Sequence, residues 1–214
     1  FPPGEASKRP ARFEPRGRKR DLLNVALAEL HAAAPAPSPR IDLPEGAPLG
    51  GLSIDVSGCT LCLSCVSACP TGALGDHAER PELSFDESLC VQCGLCAATC
   101  PEKVIALTPR LDFEARAAGR IVVKREEPAL CAACGKPFGT KSSVAKITAK
   151  LADHWMYRDA PERLALIGMC EECRAVQSVK DGFDPHAAPQ RPRVRTAEDY
   201  LRERAEGTDG LGEG

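Results

Sequence analysis

The alternation of apolar and polar residues along this chain predicts short elements separated by turns. Residues 21–34 carry apolar side chains at helical spacing and predict one helix, with Asp21 as its N-cap. The apolar side of that helix is formed by Leu22, Leu23, Val25, Ala26 and Leu30. Prolines at positions 35, 37 and 39 end the helix and predict an extended linker.

Apolar and β-branched runs further along predict short strands. These cover residues 52–56, 83–85, 104–107 and 120–124. A second helix is predicted over residues 142–157, where Val144, Ile147, Leu151 and Trp155 follow one face. A short third helix is predicted over residues 196–205, and the glycine-rich end beyond it is expected to fray.

One supersecondary unit occurs twice between residues 51 and 110. A shift of 31 residues places Cys59, Cys62, Cys65, Cys69 and Pro70 on Cys90, Cys93, Cys96, Cys100 and Pro101. The polar and apolar residues before and after the cysteines repeat as well, for example Leu74 on Ile105. Each copy therefore predicts a strand, a ligand loop, a short helix and a second strand.

Composition changes the picture because the chain has 12 Cys but only 6 Phe, 2 Tyr and 1 Trp. A core so poor in aromatic residues buries little area, and metal centres are a common substitute in small folds. The cysteines fall in tight runs with two-residue gaps, which favours metal ligands over disulfides. The formal net charge of −2 gives no general indication of binding to nucleic acid or to an anionic membrane.

The spacing of the two cysteine runs predicts two [4Fe–4S] clusters. Each of the four iron corners of a cubane takes a thiolate, and three cysteines at two-residue gaps reach three of them. The fourth cysteine of each run, followed by proline, ligates the other cluster. One cluster is thus assigned to Cys59, Cys62, Cys65 and Cys100, and the other to Cys90, Cys93, Cys96 and Cys69. Two zinc sites are disfavoured because zinc ligands usually come in pairs.

With these motifs, residues 51–110 resemble a bacterial two-[4Fe–4S] ferredoxin module, and both motifs match without gaps. The resemblance implies a pseudo-twofold fold of two short hairpins and two short helices. It also implies one-electron transfer without substrate chemistry, and clusters that are purely structural are the alternative. No catalytic triad, phosphate loop or dinucleotide fingerprint is present in the sequence, so we expect an electron carrier, or a non-catalytic subunit of an oxidoreductase, rather than an enzyme.

Two further pairs, Cys131-x2-Cys134 and Cys170-x2-Cys173, predict a tetrahedral four-cysteine site in a zinc-ribbon-like unit. Zinc is the preferred metal. A single rubredoxin-like iron, a third Fe–S cluster and redox-active thiols are the alternatives. A structural role is preferred over a docking role, and nucleic-acid binding is disfavoured because stacking aromatics are scarce. His154 is expected to be a surface or packing residue rather than a ligand.

The predicted fold class is α+β: a ferredoxin-like dicluster module and a small helical four-cysteine unit, with extended terminal tails. The predicted domains are a basic arm, helix and Pro-rich linker (1–50), the dicluster domain (51–110), a connector (111–127), the four-cysteine unit (128–180) and a polar tail (181–214). This order, with the stretch 134–140, resembles the C-terminal part of larger bacterial 4Fe–4S proteins associated with formate dehydrogenase and similar molybdenum enzymes. The chain begins with Phe rather than Met, as expected of a piece of a longer protein.

The predicted function is a relay of single electrons between a redox enzyme, such as formate dehydrogenase, and another carrier. The rival hypothesis is a regulatory or assembly protein that uses the clusters as a redox or oxygen sensor. Residues 51–110 contain seven acidic and three basic side chains, which predicts a basic partner surface. Neither a secretory signal nor an apolar run near the roughly 20 residues of a membrane span is present, so a cytoplasmic location is expected.

Overall fold

The structure, a computed structural model, describes residue 14 and residues 17–158, 160–181 and 193–205. Within those ranges the chain is an α+β protein built of short elements. It divides into two compact units. The first contains the described residues of Phe1–Leu130 together with Gly135–Lys146, and the second contains Cys131–Cys134 with the described residues of Ile147–Gly214. The described helices are all too short or too polar to cross a membrane.

Two small antiparallel sheets organise the first unit. One has the order β1 (Arg40–Asp42), β5 (Ile105–Asp112) and β2 (Gly50–Ile54), and the other has the order β3 (Leu74–Gly75), β4 (Glu82–Asp86) and β6 (Arg120–Arg125). A separate two-stranded ribbon pairs β7 (Pro128–Leu130) with β8 (Pro137–Thr140). The predicted strands are therefore present, most of them displaced by at most two residues at their ends. Strand β5 ends five residues later than predicted, and β1 adds a strand in the predicted linker.

The sequence repeat appears as crossed strand pairing. The strand before the first cysteine run pairs with the strand after the second, through Ile54 and Ile105. The strand before the second run pairs with the strand after the first, through Leu74 and Phe85. A shift of 31 residues exchanges these two pairs, so the two halves are related by a pseudo-twofold arrangement. Each half is completed by strands of the other, and neither closes by itself.

Backbone conformation repeats with the same offset. Residues with left-handed φ angles occur as the pairs Leu61 and Gln92, Leu63 and Gly94, and Gly72 and Lys103. Four of these six residues are not glycine, although the left-handed region disfavours side chains by about 1–2 kcal/mol. The loops that carry the cysteines therefore impose one path on the chain whichever residue occupies it. Short helices α2 (Ser64–Ser67) and α3 (Leu95–Thr99) follow these loops.

The described core is small and lies around the cysteine loops. Its buried members are Leu61, Cys65, Ala73, Leu74, Leu83, Phe85, Cys90 and Cys96. Leu83 alone is a large side chain that is buried almost completely, at 1% exposure. Three of the eight buried residues are cysteines, so the packing of this core depends on what the thiols bind.

Helix α1 (Lys19–Ala33) packs on the second cysteine loop through polar side chains. Arg20 and Asn24 donate to carbonyl oxygens of that loop, and the ring of His31 stacks on Phe113 with centroids 3.8 Å apart. Three of the five residues on the predicted apolar side are exposed: Leu23, Val25 and Leu30. The predicted N-cap is also displaced. The helix begins two residues earlier, and Asp21 accepts a 2.8 Å hydrogen bond from the backbone N–H of Arg18 as the third residue of a capping box.

The two other predicted helices are shorter in the structure than the patterns predict. The helix predicted over 142–157 is α5 (Lys141–Ala152), and the chain turns at His154, whose Nδ1 accepts from the backbone of Met156. Helix α4 (Phe113–Ala117), capped by Asp112, was not predicted. Beyond α5 follow α6 (Pro161–Ala165), a single 3₁₀ turn (Leu166–Gly168), α7 (Glu171–Lys180) and α8 (Ala197–Ala205). The glycine-rich C-terminal end and the basic residues before position 14 lie outside the described residues.

Candidate metal centres

Two small cavities in the first unit gather the eight repeated cysteines in sets of four. One is lined by Cys59, Cys62, Cys65 and Cys100. The other is lined by Cys69, Cys90, Cys93 and Cys96. Each set contains three cysteines of one run and the last cysteine of the other, which is the division predicted for two clusters. The structure thus brings the predicted ligands together, and their ligation remains a prediction.

The apolar lining of the two cavities follows the repeat. Leu83 and Ile54 line the first cavity, and their counterparts Leu52 and Phe85 line the second. Each strand that precedes a cysteine run therefore contributes one side chain to each cavity, Leu52 and Ile54 from β2 and Leu83 and Phe85 from β4. An apolar wall of this kind limits water around a bound cluster and thereby influences its potential.

The cysteines of each set differ in exposure in the same way. Cys65 and Cys96 are buried, whereas Cys62 and Cys93 are exposed. All twelve cysteines lie in described ranges, and none of them forms a disulfide. Each half therefore has one exposed cysteine and at least one buried one, and Cys90 is buried as well although its counterpart Cys59 is partly exposed.

The buried thiols are poor thiolates unless a cation binds them. Burial first, and then the negative charges of Cys59, Cys62, Cys96 and Cys100, together raise the pKa of Cys65 to about 11. Burial likewise raises the pKa of Cys96, with Cys90, Cys93 and Cys69 as its negative neighbours. Metal ions remove this penalty because coordination deprotonates a thiol outright. The donor set and its electrostatics therefore fit iron–sulfur clusters.

Several hydrogen bonds to the sulfurs could not be read from the cysteine spacing. The side chain of Gln92 donates to Cys90 Sγ at 3.3 Å and to the carbonyl of Gly51 at 2.8 Å. Burial acts to raise the pKa of Cys69, but hydrogen bonds from the Leu74 backbone and from Thr71 lower it overall. The one signal in the sequence was that Gln92 replaces the apolar Leu61 of the first copy.

The second unit gathers the other four cysteines much more tightly. The sulfur atoms of Cys131, Cys134, Cys170 and Cys173 all lie within 4.8 Å of one another. Among the described residues, this is the only group of three or more His, Cys, Asp or Glu side chains so arranged. The sulfurs of Cys134 and Cys170 are 3.8 Å apart, and a tetrahedron with metal–sulfur bonds of about 2.3 Å has edges of about 3.8 Å.

That spacing fits one tetrahedral ion. A cubane places four irons between its thiolates and holds the sulfurs farther apart than a single ion does, so the alternative of a third such cluster is disfavoured. The geometry is common to zinc and to a single iron and does not identify the metal. His154 is not part of the group, and its ring lies 5.5 Å from that of Trp155.

Local structure explains how two distant pairs meet. Gly135 has a φ of 75° directly after Cys134, a conformation that favours glycine. Cys170 is the N-cap of α7 and Cys173 lies in its first turn, so the two face the same side. The backbone N–H of Cys170 donates to Cys131 Sγ at 3.2 Å, which is the main cause that lowers the pKa of Cys131 to about 6. A thiol hydrogen bond with Cys134 is the largest cause that raises the pKa of Cys173 to about 12.

Comparison with known proteins agrees with the first pair of sites. Residues 58–105 match the sequence model of a family described as a 4Fe–4S dicluster domain. The match begins one residue before Cys59 and ends after Cys100, so it covers both cysteine runs. A search of curated proteins finds no match to the chain. The matched residues are thus an iron–sulfur domain, and the four-cysteine site lies outside the match.

Proposed function

We propose that this chain transfers single electrons between a redox enzyme and another carrier through two [4Fe–4S] clusters and has no catalytic activity of its own. The observation that carries the proposal is the gathering of eight free cysteines into two sets of three plus one within a matched dicluster domain. When bound, such clusters supply a site that accepts and releases one electron at a time. Two neighbouring sites suit a relay, since one would suffice to stabilise the fold.

The residues of the chain hold and shield the proposed clusters. Cys65 and Cys96 bind from the core, while Leu83 and Phe85 exclude water from the two sites. The exposed Cys62 and Cys93 mark where a partner approaches each site most closely. An electron therefore has one surface approach in each half of the module.

The ion pairs within the module narrow down which of its acidic residues would face a basic partner. Three of its seven acidic residues are paired with basic side chains. Glu82 contacts Arg80 and Arg125, Glu87 contacts Arg110, and Glu102 contacts Lys146. The partner surface is proposed to be basic and to face the acidic residues outside these ion pairs, and its association is proposed to weaken with salt. A molybdenum enzyme such as formate dehydrogenase, in the cytoplasm, is our proposal for the partner.

Zinc at Cys131, Cys134, Cys170 and Cys173 is proposed as a structural staple of the second unit. The support is the 3.8 Å sulfur separation and the small number of buried apolar residues in that unit. An all-thiolate tetrahedral site without an open position suits zinc, which does not change its oxidation state. This site therefore holds the fold and takes no part in the proposed electron transfer.

Anaerobic purification with metal analysis tests these proposals together. We expect about eight iron, eight sulfide and one zinc per chain, from the ligand counts. Dithionite should bleach the visible absorbance reversibly, and electron paramagnetic resonance should show interacting spins. A colourless protein, or one whose cysteines are oxidised to disulfides, would contradict cluster binding.

The same anaerobically purified protein distinguishes electron transfer from the rival proposal of a redox sensor. A sensor would bind its target differently before and after exposure to air while passing no electrons to any acceptor. Clusters that remain silent from strong oxidant to strong reductant would contradict the relay and leave a structural role. Two irons without sulfide would instead indicate mononuclear sites.

A further inference from the structure

The two cysteine loops are equivalent in backbone, but different cations hold them. In the first copy, the ammonium of Lys124 donates to the carbonyl oxygens of Val56, at 3.1 Å, and of Cys59. The equivalent carbonyls of the second copy, 31 residues later in the chain, belong to Glu87 and Cys90. Arg116 donates to the Glu87 carbonyl at 3.5 Å, and Arg20 donates to the Cys90 carbonyl. Equivalent carbonyls therefore bind one ammonium in one half and two guanidinium groups in the other.

Arg20 donates to the carbonyl of Cys90, and the charge of a Cys90 thiolate acts on both guanidinium groups. Burial lowers the pKa of Arg20, and a negative Cys90 opposes that change. Burial and the neighbouring Arg20 lower the pKa of Arg116, while Glu87, Asp86 and Cys90 act in the opposite direction. Arg20 also donates to the carbonyl of Ser88 at 2.9 Å, which fixes its position. Two like charges are thus held together beside one predicted ligand.

Gln92 is a second difference between the two loops, and it acts on the midpoint potential in the same direction as the two guanidinium groups. It occupies the position of Leu61 in the repeat, and both have left-handed φ angles, 55° and 51°. Only the glutamine side chain can donate, and it does so to Cys90 Sγ at 3.3 Å, whereas Cys59 Sγ accepts a longer hydrogen bond, of 3.5 Å, from the backbone N–H of Leu61. A hydrogen bond to a ligand sulfur stabilises the more negative state of a cluster, so it raises the midpoint potential.

The neighbouring acidic groups do not cancel the difference in positive charge between the two loops. In the second half, Glu87 forms an ion pair with Arg110 at 2.7 Å, and Asp86 accepts from Ser88. In the first half, Glu126 lies 3.9 Å from Lys124, and Asp55 accepts from Ser57. Each half thus has its own carboxylates. Each half also has one ion pair of its own, Arg110 with Glu87 in the second and Lys146 with Glu102 in the first. The difference that remains is that Arg20 and Arg116 bind the second loop, whereas Lys124 binds the first.

We infer that Arg20, Arg116 and Gln92 raise the midpoint potential of the site formed by Cys69, Cys90, Cys93 and Cys96 above that of the site formed by Cys59, Cys62, Cys65 and Cys100. The inference rests on the proposed function, because it requires that both sites hold a cluster. The inference predicts the order in which the two sites are reduced. The site beside α1 is the first to be reduced, and the site beside Lys124 is the stronger reductant. Helix α1, which lies outside the matched domain, therefore contributes through Arg20 to the midpoint potential of one site.

Redox titration of paired variants, followed by electron paramagnetic resonance, tests the assignment. Arg20→Gln should lower the higher of the two midpoint potentials and narrow the gap between them. Lys124→Gln should lower the lower one and widen the gap. Arg20→Lys keeps the charge and should stay close to the wild type. Lys19→Gln, which removes a charge from the neighbouring exposed residue, is the matched control and should change neither potential.

The outcomes separate this inference from the proposed function. Iron and sulfide analysis of the wild type reports cluster binding, and its failure overturns both. With full clusters, an Arg20→Gln variant that moves the lower midpoint or neither one overturns the inference alone. If Arg20→Gln loses iron because the loop loosens, Gln92→Leu replaces it, since this variant reproduces the residue of the first copy. An unchanged gap in Gln92→Leu would then contradict the inference, and a narrowed gap would support it.

Discussion

Gly72 and Lys103 adopt the same left-handed conformation, with φ angles of 65° and 54°, at equivalent positions of the two halves. Both follow the fourth cysteine of their run by three residues. One has no side chain, whereas the other has a long one that is exposed to solvent. The turn after each cysteine run is thus set by the tertiary arrangement of the module and tolerates a residue that disfavours it.

This pair gives the first prediction, on stability. Nothing lies within 4 Å of a Cβ added at Gly72, so Gly72→Ala changes only the backbone preference. We expect it to destabilise the folded protein by about 1 kcal/mol. Lys103→Gly should stabilise it by up to about 1 kcal/mol for the same reason. Apparent Tm values of anaerobic protein, compared at one scan rate, check the pair, and shifts of the same sign in both variants would contradict it.

Crossed ligation gives the second prediction. In Cys100→Ala, the thiols of Cys59, Cys62 and Cys65 should become accessible to an alkylating reagent in the native protein, because their site loses its fourth ligand. Those of Cys90, Cys93 and Cys96 should remain protected. Cys69→Ala should show the converse, and mass spectrometry of peptides identifies the modified residues. If Cys100→Ala instead exposed the three cysteines of its own run, ligation would be local and the assignment wrong.

A third prediction concerns the ion pair of Glu87 and Arg110. Arg110 donates to both carboxylate oxygens, at 3.1 and 2.7 Å, and the Glu87 side chain is 4% exposed. This hydrogen bonding raises the pKa of Arg110. Glu87→Gln removes the charge that compensates Arg110, and we expect a loss of about 2 kcal/mol, below the range for fully buried pairs because Arg110 is partly exposed.

The matched control for that variant is Glu127→Gln. Lys141 and Glu127 form an exposed pair at 2.5 Å, which should contribute little to stability because solvent screens it. Both variants are compared by apparent Tm under anaerobic conditions. Equal losses from the two substitutions would show that burial of Glu87 does not matter.

The fourth prediction concerns the contact between α1 and the module. Asn24 donates to the carbonyl of Ser88 at 3.4 Å and accepts from Arg116, so Asn24→Ala removes two contacts and leaves a partly buried guanidinium with fewer partners. We expect a loss of about 1–2 kcal/mol in the docking of α1. Hydrogen exchange of the helix amides should be faster in this variant, whereas Leu30→Ala, at an exposed position, should leave it unchanged. Equal exchange in the two variants would argue that the helix is held by other contacts.

The fifth prediction concerns removal of metal from the four-cysteine site. A zinc chelator under anaerobic conditions should release about one zinc per chain, counted separately from iron, and abolish the hydrogen-exchange protection of α7, because two of the four ligands lie at its start. Cys173→Ala should have the same effect. His154→Ala should retain the metal, since His154 lies outside the ligand group. Retained protection of α7 after complete metal release would contradict a structural role.

Cysteine spacing alone predicted which residues meet, but not what surrounds them. The gap between Cys59 and Cys62 is a local property, and it determines which atoms one loop can present to a cluster. The positions of Arg20 and Lys124 depend on residues 70 and 65 positions distant in the chain, which no local pattern encodes. For the same reason, the apolar residues of α1 did not indicate its contacts, which include hydrogen bonds to carbonyl oxygens and the stacking of His31 on Phe113.

From the sequence by itself follow the eight cysteines in two repeated runs, their division into crossed sets, the four-cysteine site and the α+β class. Covalent spacing and periodicity suffice for these features because they depend on a few neighbouring residues. The tertiary structure alone decided which strands cross between the halves, which φ angles non-glycine residues accept and which cations lie beside each loop. These depend on the simultaneous packing of distant segments, whose contacts stabilise one another only once the whole module has formed.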